Sequence, residues 1–325
     1  MDAGPGQTPT RPPTGSDQQR LSGWDIVSAA IALGLAIVLV ALFATIAPAF
    51  RSLSLGLSLG AAWWFYTLLA LGLTLVMTTG RMDVSGASVA ALAGAVAAKL
   101  AVMGVPLLLG FVPGAILAAL IGTVSGLIAT VSRSASFVGT LATAAFCQAL
   151  TAQLLGAPAV ALPRGLQGLT PLIVPAVLLA MAAAALTVIA LLSPAGDRLR
   201  RLGREPRPAP TRVLVVTLAG TYAAAAVLAA GAGVGQVAQA GSAFASVPPQ
   251  TEIAVIAAAI LGGASLRGGR GAGYPAVVSA LALTVLIFGF SALGVSLFVS
   301  TAVVGVLLVA VLVWDELRPR LLGPG

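Results

Sequence analysis

Charged side chains are scarce in this chain of 325 residues, and histidine is absent altogether. Only 8% of the residues are charged, whereas a soluble domain carries about 25%. Without histidine the chain can form neither a Ser-His-Asp triad nor a histidine-ligated zinc site, and its single cysteine cannot close an intrachain disulfide. We therefore expect no catalytic residue and no cofactor in this chain.

Apolar residues take the place of the missing charge, at 59% of the sequence and a mean hydropathy of +1.06. Because a bilayer core about 30 Å thick is crossed by about 20 helical residues, long apolar runs predict membrane spans. Ten segments are predicted: 24–47, 61–79, 84–102, 107–131, 137–155, 172–192, 213–234, 253–263, 274–290 and 295–313. The segment 253–263 is short, and we interpret it as a half-helix that continues into the glycine-rich stretch 264–273. The predicted fold is an all-α polytopic integral membrane protein with one broken helix.

The basic residues predict the orientation of these segments. If all ten cross and the N-terminus is cytoplasmic, fourteen of the seventeen lysines and arginines lie inside, as the positive-inside rule requires. This spacing between apolar runs is typical of a membrane protein and not of a nucleic-acid-binding face. We predict a disordered cytoplasmic tail at 1–23, a transmembrane domain at 24–317 and a cytoplasmic tail at 318–325, in a bacterial inner membrane.

A polar break, TTGRMDVSG, separates the second and third apolar segments. Asp83 in this break is predicted to cap the next helix by accepting backbone N–H groups. The alternative interpretation places Gly80, Asp83 and Ser85 in a broken helix that lines a path through the bilayer, because ionisable residues inside membranes tend to be functional.

Two threonines in the fifth apolar segment, Thr140 and Thr143, are interpreted more simply. A threonine inside a helix commonly bonds a carbonyl of its own helix. We expect no further role for them.

Glycines cluster behind the half-helix in the stretch LGGASLRGGRG. No Gly-Lys-Ser/Thr follows and no strand precedes, so a phosphate-binding loop is excluded. Glycine lacks a Cβ and so permits a bend or a close backbone contact, although packing alone explains such glycines equally well. The acidic residue before them, in the first turn of the half-helix, offsets the helix dipole. The candidates for the broken-helix path are Gly80, Asp83, Ser85, Glu252, Gly262, Gly263, Gly268, Gly269 and Gly271.

The largest polar stretch after the first apolar segment, residues 196–212, is rich in arginine. Such a cluster is typical of an anchor on anionic lipid, worth about 1 kcal/mol per basic residue near the surface. The alternative is a short helix that docks on a partner protein. Leu199 and Leu202 are three residues apart and would share one face of it, and Pro206 would end it. The docking candidates are Arg198, Leu199, Arg201, Leu202 and Arg204.

Three motifs together resemble those of ribose-type ABC-transporter permeases. LGLTLVMTTGRMDVSGASVAAL (71–92) is similar to that family's G-T-x-V-I-x-T-G-G-I-D-L-S-V-G-S stretch, and SFVGTL (136–141) to its P-x-F-I-v-T-L. EIAVIAAAILGGASLRGGRG (252–271) resembles its E-L-d-A-I-A-A-V-x-L-G-G-t-S-l-x-G-G-r-G. The resemblance implies two permease subunits, two cytoplasmic ATP-binding subunits that hydrolyse ATP, and an extracytoplasmic solute-binding protein. Sugars are the usual cargo, and relatives carry branched-chain amino acids.

The sequence departs from this family at one place. The family's ATPase-docking stretch, A-I-G-x-N-x-x-A-A-x-x-S-G-I, has no recognisable counterpart in DRLRRLGREPRPAPTR (197–212). One alternative is therefore a weakly coupled or non-transporting subunit that pairs with a different permease. Another is a self-sufficient secondary carrier, which would need ion ligands at mid-membrane, where Asp83 and Glu252 are the only acidic candidates.

Overall fold

The computed structural model describes residues 23–163, 170–205 and 211–322, so most of the predicted N-terminal tail and the last three residues lie outside it. The described chain is almost entirely helical. Its helices are α1 (Gly23–Ile46), α2 (Leu53–Thr78), α3 (Gly86–Val102), α4 (Leu107–Ile128), α5 (Arg133–Leu155), α6 (Thr170–Leu192), α7 (Pro194–Arg204), α8 (Arg212–Ala240), α9 (Pro249–Leu261), α10 (Tyr274–Ala292) and α11 (Leu297–Leu322), with a 3-10 turn at Pro48–Arg51.

Every predicted apolar segment coincides with a helix, and the all-α membrane fold is confirmed. Among the described residues, seven helices are long and apolar enough to span a bilayer, and the bent pair of α6 and α7 gives an eighth. The apolar helices α3 and α9 are shorter. α2 begins eight residues before its predicted start at 61, because the Ser52 hydroxyl accepts a hydrogen bond from the backbone N–H of Leu55 and caps the helix.

Several helix ends meet at one end of the bundle, which we call the arginine end. There the Arg133 side chain donates to the carbonyl oxygens of Gly203 at the end of α7 and of Arg267 between α9 and α10. The Ser265 hydroxyl donates to Asp315 near the end of α11. Because α1 also starts there, with Ser28 beside the turn that follows α9, the first and last described helices have their outer ends on the same side, as predicted.

Two short strands close the opposite end. β1 (Ala159–Ala161) follows α5, β2 (Ser242–Phe244) follows α8, and the two pair antiparallel with Val160 opposite Ala243. The apolar pattern did not predict these strands, which are three residues each. They join the connection that follows α5 to the connection between α8 and α9.

Two sets of four helices, α2–α5 and α8–α11, are packed in the same way. α2 and α8 pack on each other at the centre, where every residue of α2 from Phe65 to Thr78 is buried. In the first set, α3 and α4 pack on α8, and α5 packs on α3. In the second set, the corresponding helices α9 and α10 pack on α2, and α11 packs on α9. α2 ends at the arginine end whereas α8 begins there, so the sets run in opposite directions. This is an inverted repeat of the kind found in many transporters.

The second helix of each set is preceded by non-helical backbone. Residues 80–85 lead into α3 and residues 245–248 lead into α9. α9 has 13 residues and is about 20 Å long, so the helix alone is shorter than a bilayer core of about 30 Å.

This arrangement corrects one prediction. The glycine-rich stretch 264–273 does not continue the half-helix across the bilayer, because it forms a turn at the arginine end. The extended backbone comes before the helix instead. Pro248 and Pro249 explain the order, since proline fixes the extended approach and is favoured in the first turn of a helix.

Candidate functional site

The 80–85 segment runs along α5 and is hydrogen-bonded to two of its side chains. The backbone N–H of Met82 donates to the Ser136 hydroxyl and that of Val84 to the Thr140 hydroxyl, each at 3.2 Å. Alternate residues of an extended chain are about 6.6 Å apart, and residues four apart on a helix rise about 6 Å. The two spacings match, so one face of α5 satisfies backbone groups that lipid could not.

The Met82 peptide unit is held from a second helix as well. Its carbonyl oxygen lies 2.7 Å from the Ser136 hydroxyl and 3.2 Å from the Tyr222 hydroxyl of α8, and those two hydroxyls are 2.5 Å apart. Ser136 and Tyr222 are fully buried. The segment is therefore clamped between α5 and α8 at its middle.

Asp83 shapes the start of α3. Its Oδ1 accepts from the backbone N–H of Ser85 at 2.8 Å and from the Ser85 hydroxyl at 2.6 Å. Ser85 is itself the residue before the first helical turn. Asp83 thus bonds the N-cap residue and not the N–H groups of the first turn, which is where a capping side chain normally bonds.

The carboxylates of Asp83 and Glu252 line one small cavity between α2, α3, α8 and α9. Glu252 Oε1 accepts from the Ser88 hydroxyl at 3.0 Å, and the Gln148 amide donates to the same hydroxyl at 3.1 Å. The cavity, which we call the carboxylate cavity, has a volume of about 30 Å³, enough for about two water molecules. Both α3 and α9 begin beside it, so the positive ends of two helix dipoles face these carboxylates.

The other predicted path residues occupy a different place. Gly262, Gly263, Gly268, Gly269 and Gly271 lie in the turn between α9 and α10 at the arginine end, and none is among the described residues that line the carboxylate cavity. Gly80 and Gly268 both have positive φ, at +73° and +82°, and a Cβ on Gly268 would overlap the Cα of Gly80. The glycines therefore permit backbone contact between the turn and the start of the 80–85 segment.

α7 rests against this turn. The Arg200 side chain donates to the carbonyl oxygens of Leu191 at 2.8 Å and Gly271 at 3.2 Å, and pairs with Asp197. Gly203 packs so closely on the end of α2 that a Cβ there would overlap the Thr78 carbonyl. The inner face of α7 is thereby attached to the transmembrane helices.

The outer face of α7 is basic. Arg198, Arg201 and Arg204 are exposed, whereas Leu199 is half-buried and Leu202 packs inward against the cluster that contains Tyr222. The predicted short helix is present, but its leucine pair is not the part that faces outward. A partner would meet the arginines first.

The residues that hold the 80–85 segment were not predicted from the sequence. Thr140 does donate to the carbonyl of Phe137 in its own helix, as predicted, but its oxygen also accepts from Val84. The expectation that it has no further role is therefore wrong. The signal available in the sequence was the four-residue spacing of Ser136 and Thr140, which places both hydroxyls on one helix face.

An inverted repeat with two broken helices, polar groups where they meet and a short basic helix at one end defines a membrane permease. The chain belongs to the family described as branched-chain amino acid transport system / permease component, whose sequence model matches residues 57–312. The resemblance to ABC-transporter permeases is confirmed, and the chain is the membrane-spanning permease subunit of an ABC importer.

Individual relatives point the same way. The chain is 32% identical to the ribose import permease protein RbsC of Bacillus subtilis over 260 residues, which cover 75% of this chain and 80% of the relative. It is 30% identical to RbsC of Escherichia coli over 298 residues, which cover 85% of this chain and 90% of that protein. No solved structure gave a significant match.

Replacing Thr140 by valine should destabilise the permease, because the N–H of the half-buried Val84 would lose its acceptor. We expect a loss of about 1–3 kcal/mol, measured as a lower melting temperature in detergent micelles. Thr151→Val is the matched control, since Thr151 is buried on the same helix and its hydroxyl donates to a carbonyl of that helix, at Cys147. Equal shifts for the two variants would show that α5 does not support the segment.

Proposed function

We propose that this permease imports a monosaccharide of the ribose type. The observation that supports it is the similarity to ribose import permeases along most of both chains. The chemistry of the carboxylate cavity suits this cargo, because the Asp83 and Glu252 side chains that line it offer the acceptors that sugar hydroxyls need. Ser88 and Gln148 lie behind Glu252 and are hydrogen-bonded to each other, and Ser88 also donates to Glu252. A branched-chain amino acid is the alternative, since the family description names that cargo.

Transport would proceed by alternating access. In transporters with inverted repeats, one repeat rocks against the other around a site formed by broken helices. Here the α2–α5 and α8–α11 sets would move about the carboxylate cavity, where the starts of α3 and α9 meet. The cavity is closed to a sugar in the present conformation, which corresponds to an occluded or resting state of the path.

The partners follow from the charge of the two ends. By the positive-inside rule we infer that the arginine end faces the cytoplasm, so both termini would lie on the cytoplasmic side of the bacterial inner membrane. The exposed arginines of α7 would there meet the cytoplasmic ATP-binding subunits, which hold the ATP. An extracytoplasmic solute-binding protein would dock at the strand end, and a second permease subunit, the same or different, would complete the pore. We expect no nucleic-acid partner. Anionic membrane lipid is the alternative partner for the exposed arginines of α7.

The cargo is tested by reconstituting the permease with its ATP-binding subunits and its binding protein in proteoliposomes. We expect ATP-dependent uptake of radiolabelled ribose. Asp83→Asn keeps the Oδ1 acceptor for Ser85 but removes the charge, so it should preserve the melting temperature and lower uptake roughly tenfold or more, as expected for hydrogen bonds to a charged group. Uptake of leucine in place of ribose would reject the monosaccharide, and wild-type uptake by Asp83→Asn would reduce Asp83 to a structural residue.

Docking at α7 is tested by reversing its outward charge. Arg198→Glu with Arg201→Glu should sharply reduce the amount of ATP-binding subunit that copurifies with the permease, because like charges across an interface repel. Arg212→Glu, an exposed position at the start of α8, is the control. If the ATP-binding subunit is retained but anionic lipid no longer raises the melting temperature of the variant as it does that of the wild type, α7 is a lipid anchor. If the wild-type permease binds the ATP-binding subunit only when a different permease is also present, the interpretation as a weakly coupled heterodimer is correct.

A further inference from the structure

α5 carries a stripe of polar side chains that connects three parts of the molecule. Arg133 starts the helix, and Ser136, Thr140 and Gln148 follow at spacings of three, four and eight residues, all on its inner side. From the arginine end inward, their partners are the end of α7, the 80–85 segment and the Ser88 hydroxyl beside Glu252. α5 is therefore bonded directly to the end of α7 and, through Ser88, to Glu252 of the carboxylate cavity.

The contacts of Arg133 set it apart from the other arginines of this end. Its Nη2 donates to the carbonyl oxygens of Gly203 at 2.7 Å and Glu205 at 3.0 Å, and its Nη1 donates to that of Arg267 at 3.1 Å. A Cβ on Gly80 would lie 2.9 Å from Nη2. The guanidinium thus sits where α7, the glycine turn and the start of the 80–85 segment come together.

The acceptors are all backbone carbonyls, so the contact depends on the shape of the guanidinium as well as on its charge. A planar fork reaches several carbonyls at once, whereas a lysine ammonium on a flexible stem acts as a point charge. The Nε–H of Arg133 is buried and has no hydrogen-bond partner among the described residues. Such an unpaired donor calls for an explanation, and a second arrangement in which Nε gains a carbonyl when α7 shifts provides one.

We propose that Arg133 is the positioning residue that transmits movement of α7 to the 80–85 segment. α7 cannot move away without breaking these bonds or moving the start of α5. Ser136 lies only one helical turn from Arg133 and is bonded to Met82, so movement of α5 reaches the segment that carries Asp83. The inference rests on the proposed function, because it assumes that the ATP-binding subunits act on α7.

The test compares Arg133→Lys with Arg212→Lys in the reconstituted complex. Both variants keep the positive charge, but only Arg133→Lys removes the planar guanidinium that bonds the carbonyls of Gly203, Glu205 and Arg267. Arg133→Lys should retain the ATP-binding subunits and near-wild-type ATP hydrolysis, and the number of solute molecules imported per ATP should fall at least fivefold. Arg212→Lys should match the wild type. An unchanged ratio in Arg133→Lys, or a loss of assembly that accounts for the whole loss of transport, would overturn the proposal.

A second measurement does not depend on transport. Loss of the bonds to Gly203 and Glu205 should fray the last turn of α7, so trypsin should cut after Arg201 several-fold faster in Arg133→Lys than in Arg212→Lys. Equal rates would reject the contact itself. If the wild-type complex imports nothing while this difference in proteolysis is observed, then the proposed function fails and the structural link stands.

Discussion

Backbone N–H and C=O groups inside a bilayer must find partners within the protein, and this requirement organises the centre of the molecule. The 80–85 segment is not helical, yet the N–H groups of Met82 and Val84 are bonded by Ser136 and Thr140 of α5. Ser85 is bonded by Asp83. Because these bonds are available, α3 can start deep in the bundle, and its positive end can face the carboxylate cavity.

The same requirement explains why arginines gather at one end. Helices finish with carbonyl groups that have no partner within the helix, and long cationic side chains supply the missing donors. Arg81 donates to the carbonyls of Thr79 and Ala129 after α2 and α4, and Arg200 donates to that of Leu191 in the last turn of α6. Membrane orientation and helix termination therefore favour arginine at the same positions. These arginines also join neighbouring elements, which a lipid-facing charge would not do.

Much of the fold could be predicted because it depends on composition alone. A run of about 20 apolar residues spans a bilayer whatever its neighbours are, and each predicted segment became a helix. Two interpretations of the motif around Asp83 were open, a helix cap and a broken helix. In the structure Asp83 bonds the N-cap residue Ser85, not the N–H groups of the first turn, and it lines a cavity. The family resemblance rested on three ranges. Residues 71–92 contain the 80–85 segment, residues 136–141 contain the α5 side chains that bond it, and residues 252–271 contain most of α9 and the turn that follows it.

The remainder depends on contacts between distant parts of the chain. The inverted repeat is a relation between helix packings, and the helix lengths give no sign of it. Glu252 and Asp83 are brought together by the crossing of α2 with α8 and not by any local pattern. The second bond of Thr140 was missed because its bond within α5 is sufficient to explain a threonine in a helix. The glycines of 262–273 were predicted to lie in the path because glycine permits a bend. Glycine does not indicate whether the non-helical part of a membrane crossing comes before or after the helix.

The central claim is that the 80–85 segment is ordered, non-helical backbone held within the bundle by α5. Hydrogen–deuterium exchange of the purified permease in lipid nanodiscs tests it directly, since amide protection reports hydrogen bonding and local opening. The account predicts that the amides of Met82, Val84 and Ser85 exchange as slowly as those of the neighbouring helices and far more slowly than the connection between α10 and α11. Exchange of these amides at the rate of that exposed connection would contradict it.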